Sequence, residues 1–158
     1  MDLCSSQPGQ AYDVYFSFSK EDSRRGIADY ASKALVMSGI RTFNDENQQL
    51  QGGSQLWYHQ KEAIQMSRIA VLLLSEDYLS SYYCLEELVM IMGCREAWGM
   101  IVVPIFYDVN PSHLRKLRGV VASALARQRV GNYWWRRWKH ALHEASDLCG
   151  WDRSTSHP

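Results

Sequence analysis

The constraint that most narrows the fold is an alternation of two segment types. Residues 12–18 (YDVYFSF), 40–43, 68–75 (RIAVLLLS) and 100–107 (MIVVPIFY) are short, apolar and rich in β-branched or aromatic residues. A strand that is apolar on both faces belongs in a parallel sheet covered by helices on both sides. Helix-length stretches lie between these runs. Ile27, Tyr30, Ala31, Ala34, Leu35 and Met37 recur at three- and four-residue steps, and Gly39 follows as a stop. Residues 56–66 and 85–98 repeat the pattern, Pro111 after Asn110 suits another helix start, and Trp134, Trp138, Leu142, Ala145 and Leu148 mark one face of a last helix. Alternating strands and helices require right-handed crossovers, so the expected fold is α/β: a single domain with an open, doubly wound parallel sheet of about five strands. Residues 115–132 give no clear period, and the fifth strand is not located there. Segments 1–11 and 152–158 read as tails around a domain over 12–151.

Composition narrows the function classes. The 158 residues suffice for one ordinary core, and 17 basic residues balance 17 acidic ones. That balance argues against a nucleic-acid module, which carries a basic face, but leaves room for a small anionic ligand. No apolar run approaches the ~20 residues of a membrane helix, and the first ten residues lack the basic and apolar regions of a secretory signal. Cys4, Cys84, Cys94 and Cys149 have no metal-like spacing and fit a reduced environment. A cytoplasmic or nuclear protein without a membrane partner is expected.

Open sheets of this kind bind ligands beyond the carboxyl ends of their strands. The corresponding stretches are 18–22, 44–54, 75–83 and 108–112, all polar or turn-rich. In the third, Glu87 follows the loop within the first expected helical turn. There the helix dipole favours an ionised carboxylate, and spacing alone reads it as a helix-capping charge. The loop 44–54 (NDENQQLQGGS) is a ligand-covering loop or a solvated connector, and it lacks the Gly-Lys-Ser ending of a phosphate-binding P-loop. The acidic pair Glu21-Asp22 is reminiscent of a phospho-receiver domain. A receiver also needs an aspartate closing the third strand, where this chain has Ser75.

At these same segments the chain resembles the TIR domains of plant immune receptors and plant TIR-only proteins. Tyr12-Asp13-Val14, Ser17-Phe18 and Glu21-Asp22-Ser23-Arg24 are similar to the family opening YDVFLSFRGEDTR, and Gly39-Ile40-Arg41-Thr42-Phe43-Asn44-Asp45 to GI-x-TF-x-D. Ser75, Tyr78, Ser81 and Cys84-Leu85-Glu86-Glu87-Leu88 resemble the S-x-x-Y…S-x-WCL-x-EL block. Residues 104–112 match PIFYDVDPS at nearly every letter, and Trp138, Ala141-Leu142, Glu144-Ala145 and Gly150-Trp151 resemble the final W-x-x-AL-x-EA…GW. The resemblance runs from about Tyr12 to Trp151.

What the resemblance implies is a flavodoxin-like fold and, as in many members, cleavage of NAD+ (or NADP+) at the nicotinamide–ribose bond. NAD+ would be a substrate; no tightly bound cofactor and no metal is expected. The family's catalytic glutamate falls on Glu87 rather than Glu86. Phe18, Ser19, Lys20, Asp45, Gly52, Ser81 and Tyr83 fall on substrate-binding positions. Products would be nicotinamide with ADP-ribose or a cyclised variant, acting as immune and cell-death signals. Family members complete the site between subunits, so homo-oligomerisation through TIR–TIR contacts is expected; a non-catalytic TIR–TIR interaction module is the alternative. The chain departs from the family in two places. Ser19-Lys20 replace the usual Arg-Gly, removing a bidentate fork for phosphate, and Tyr83 replaces a tryptophan, keeping a smaller stacking face. The loop over 44–53 is one residue longer than usual, with Leu50 offset.

Overall fold

The computed structural model describes residues 11–43, 54–128 and 131–152. In chain order the elements are β1 (Tyr12–Ser17), α1 (Lys20–Arg24), α2 (Ile27–Met37), β2 (Thr42–Phe43), α3 (Ser54–Gln65), β3 (Ser67–Leu74), α4 (Glu76–Leu79), α5 (Tyr82–Trp98), β4 (Ile101–Phe106), α6 (Pro111–Lys116), α7 (Gly119–Ala126), α8 (Asn132–Ser146) and β5 (Trp151–Asp152). The five strands form one parallel sheet in the order β2-β1-β3-β4-β5. The single-domain, flavodoxin-like α/β expectation is met.

The two-residue period of the strands explains why both faces are apolar. On one face Phe16 and Leu73, with Val71 and Ile105, pack against Ala28, Ile27, Ala31 and Leu35 of α2. On the other, Tyr15, Ala70, Leu72, Leu74, Val102 and Phe106 join Ile64 of α3, Leu85, Leu88 and Ile91 of α5, and Trp138 and Leu142 of α8. Successive side chains of β1 and β3 thus go to opposite layers. Each fully buried leucine contributes about 1.5–3 kcal/mol of transfer free energy, and Leu72, Leu74, Leu85 and Leu88 are all at 0% exposure. The chain leaves β1 toward β2 on one side and returns to β3 on the other, so the direction of winding reverses between β1 and β3. Their carboxyl ends frame the crevice where such sheets receive ligands.

Two local expectations change. Helix α5 begins at Tyr82 with Ser81 as its N-cap, so Glu87 is the sixth helical residue, in the second turn rather than the first. The dipole contribution falls off within the first turn, so capping is not what holds Glu87 there. Residues 115–132 contain α7, and the fifth strand follows α8, with Ile105 paired to Trp151 and Phe106 to Asp152. At the other end of α5, Gly99 adopts φ 82° and returns its N–H to the Arg95 carbonyl, the left-handed stop that glycine takes without strain.

Candidate active site at the ends of two strands

Three serine caps build the rim of the crevice. Ser19 caps α1, accepting from the Asp22 N–H at 3.1 Å while its hydroxyl donates to Asp22 Oδ2 at 2.7 Å. Ser75, at the end of β3, caps α4 by accepting from the Tyr78 N–H at 3.1 Å and donates to the same Asp22 Oδ2 at 2.5 Å. Ser81 caps α5 by accepting from the Cys84 N–H at 3.3 Å. Each cap satisfies an amide that the first helical turn leaves without a partner. Two further contacts cross the crevice: Ser17 Oγ lies 2.8 Å from Tyr78 Oη, and the Cys84 thiol donates to the Phe18 carbonyl at 3.7 Å.

Below this rim lies Glu87, 6% exposed. It is an electrostatic neighbour of both Cys84 and Tyr78. Burial, then the Glu87 charge, pushes the Cys84 thiol well above its ordinary value. Burial, then Cys84 and Glu87, raises the Tyr78 phenol well above its own, with the Ser17 hydrogen bond opposing. Both groups are therefore protonated at neutral pH. A neutral buried thiol is a poor nucleophile, so Cys84 is a wall of the site rather than a reactive group. Among the described residues no group of three or more His, Cys, Asp or Glu side chains is placed to hold a metal ion.

The adjacent carboxylate has a different environment. Consecutive residues on a helix are ~100° apart and face different neighbours. Glu86 Oε1 accepts from the indole N–H of the fully buried Trp138 at 2.8 Å, and its other oxygen lies 3.7 Å from Arg137. Glu86 joins α5 to α8, whereas Glu87 is nearly buried and acts electrostatically on Tyr78 and Cys84.

The remaining expected site residues are distributed as follows. Phe18, Ser19 and Lys20 form the turn after β1. Phe18 packs edge-on against Phe16, Lys20 is exposed and acts electrostatically on Cys84, and Ser19 is buried with its hydroxyl engaged by Asp22. Tyr83 is 69% exposed and packs edge-on against Tyr82. Asp45 and Gly52 lie outside the described residues. Asp22, which the sequence offered only as half of a receiver-like acidic pair, links two of the rim's turns through its carboxyl. The Ser-x-x-Asp capping spacing at Ser19–Asp22 was the available signal. The acidic pair does not converge as in a receiver: Asp22 is buried, while Glu21 pairs with Arg24 at the surface.

Comparison with known proteins adds the following. The family model described as TIR domain matches residues 11–158. Disease resistance protein RPV1 of Vitis rotundifolia is 42% identical over 144 residues, covering 89% of this chain and 10% of that protein. TMV resistance protein N of Nicotiana glutinosa is 37% identical over 150 residues, covering 92% of this chain and 13% of its own length. The chain thus spans roughly a tenth of these curated relatives. Among solved structures, the TIR domains of the activated Roq1 resistosome, which directly recognises the pathogen effector XopQ, superpose with a TM-score of 0.80 at 36% identity, covering 92% of this chain and 90% of that one. The TIR domain of the Toll-related receptor TRR-2 from Hydra magnipapillata shares the fold at 16% identity, covering 91% of this chain and 86% of that one, with a TM-score of 0.51.

Proposed function

This chain belongs to the TIR domain family, and from that premise we propose that it cleaves NAD+ at the nicotinamide–ribose bond, with Glu87 as the catalytic carboxylate. The reading extends to plant immune and cell-death signalling, in step with the disease resistance proteins it resembles. Activity would depend on self-association, in keeping with the resistosome assembly of a structural neighbour.

The observation that carries the reading is the setting of Glu87. It is a nearly buried carboxyl group whose charge acts on a neutral thiol and a neutral phenol, both carried by the segments that follow β3 at the crevice where the sheet changes direction. Nicotinamide departs as a neutral base, so no general acid has to protonate it. The barrier is the positive charge that develops on the ribose as the glycosidic bond breaks. A single carboxylate stabilises that oxocarbenium ion while accepting hydrogen bonds from ribose hydroxyls, and water then adds to give ADP-ribose. Low local polarity strengthens the charge–charge attraction beyond its value in water. No helix among the described residues is long and apolar enough to cross a membrane.

The test is nicotinamide release from NAD+ by purified, concentrated protein. Turnover is expected in the wild type and is lost in Glu87→Ala and Glu87→Gln. Unchanged turnover in both variants would sink the assignment. A second reading, a non-catalytic TIR–TIR module, draws on Ser19, which brings no cationic fork to the phosphates and uses its hydroxyl on Asp22. Self-association with no nicotinamide release under crowded conditions would favour it.

A further inference from the structure

We infer that Asp22 is a positioning residue of the Glu87 site, its buried carboxylate clipping the turn after β1 to the turn after β3. The inference rests on the proposed reaction for its functional half and on geometry alone for its structural half. Asp22 is 1% exposed, and no ion pair to it occurs among the described residues. Burying a carboxyl group away from cations is costly unless hydrogen bonds compensate. Here one oxygen collects two hydroxyl donors, Ser19 from three residues away and Ser75 from 53 residues away. Capping α1 requires neither, since the cap is Ser19 Oγ accepting from the Asp22 N–H. The second serves no helix end, since Ser75 already caps α4 through its contact with the Tyr78 N–H.

The effect of the second contact is to join the two turns that carry the walls of the Glu87 site. Tyr78 belongs to α4, whose cap is Ser75, and its hydroxyl meets Ser17 at the end of β1. The Cys84 thiol reaches the Phe18 carbonyl in the turn that Asp22 anchors. With the clip intact, Tyr78 and Cys84 keep fixed places relative to Glu87. Without it, the turns keep the Ser17–Tyr78 and Cys84–Phe18 contacts but lose the Ser75–Asp22 link, and the looser wall lets the carboxylate drift out of alignment with the scissile bond. Displacements of about 1 Å at a reacting centre cost up to about 100-fold in rate.

The experiment pairs two readouts on Ser75→Ala, Ser19→Ala, Asp22→Asn and Asp22→Ala. Amide hydrogen exchange is followed in residues 19–25, 76–80 and 82–87, and nicotinamide release gives kcat and KM. Ser75→Ala is expected to accelerate exchange in residues 19–25, on the far side of the clip, by about 10-fold or more, the size of one lost charge-assisted hydrogen bond. Its kcat should fall by about 10- to 100-fold with KM little changed. Asp22→Asn, which keeps one carbonyl acceptor, should recover part of the loss seen in Asp22→Ala. In the Asp22→Ala background Ser75→Ala, which then removes only the α4 cap, should add nothing further to exchange in residues 19–25. Exchange changes confined to each variant's own turn would overturn the clip, whether or not the protein turns over NAD+. Coupled exchange with unchanged kcat would overturn the positioning role. A wild type that releases no nicotinamide would count against the proposed reaction alone, leaving the exchange result to decide the clip. Ser75→Ala, which leaves the Asp22–Ser19 pair in place and costs otherwise only the α4 cap, covers the case in which Asp22→Ala does not fold.

Discussion

Two neighbouring carboxylates on one helix should separate completely when each is mutated. In Glu86→Ala the indole N–H of Trp138, at 0% exposure, loses its acceptor 2.8 Å away. An orphaned buried donor costs about 1–3 kcal/mol. The second loss is the contact with Arg137 at 3.7 Å, where the arginine side chain is 36% exposed; pairs of that kind contribute at most about 1 kcal/mol. Alanine's better helix propensity returns a few tenths of a kcal/mol. The balance is a destabilisation of about 2 kcal/mol, or about 4–8 °C in Tm for a domain of this size. Glu86→Gln keeps an oxygen acceptor and should cost less than about 1 kcal/mol. Urea unfolding followed by tryptophan fluorescence measures both, with the midpoint expected to move at constant slope. Glu87→Gln should do the reverse, holding the midpoint near wild type while nicotinamide release disappears. A Glu86→Ala protein within about 0.5 kcal/mol of wild type, or a Gln variant as destabilised as Ala at position 86, would refute the Trp138–Glu86 link.

Two other perturbations test the core and the sheet. Cys84 and Tyr78 hold their protons more tightly folded than unfolded, above ordinary values of 9.0 and 10.0. The stability they contribute is fully present below pH 9 and lost as pH rises, by roughly 1 kcal/mol per pH unit for each group once the unfolded form has ionised. Urea midpoints between pH 8 and 11 should therefore fall, less steeply in Cys84→Ala than in wild type; parallel profiles would refute the shared burial. A Cβ added at Gly150 would stand 2.0 Å from the Pro104 carbonyl oxygen. Gly150→Ala should accordingly push β5 off β4 and lower stability by about 2 kcal/mol or more, and an unchanged Tm would contradict that close approach.

Much of this architecture was legible because strands β1, β3 and β4 are apolar on both faces, even though the β4 face carrying Ile101, Val103 and Ile105 is only partly buried. Helix α8 was legible by its apolar stripe and α2 by Ile27, Ala31 and Leu35, although Tyr30 and Met37 of the expected α2 stripe are exposed. The short elements were not. Helix α7 has eight residues and an apolar composition without a clear polar face, so its period is undefined. Strand β5 has two, too few for any alternation to register. The start of α5 was misplaced for a related reason: Tyr82 and Tyr83 are aromatic and exposed, which hid the first turn behind what looks like loop sequence.

The sequence by itself determined the fold class and the family, and motif register is what puts the proposed catalytic role on Glu87 rather than Glu86. Those follow from local order: burial period along the chain and motif letters in register. Only the tertiary structure decided what surrounds Glu87. Ser17, Asp22, Ser75, Tyr78 and Cys84 come together across as many as 67 residue positions, through hydrogen bonds that join the ends of β1 and β3. No local pattern encodes that meeting. It results from two parallel strands lying side by side, Ser17 opposite Leu72 with β3 running on to Leu74, which brings the Ser75 cap within reach of Asp22 in α1.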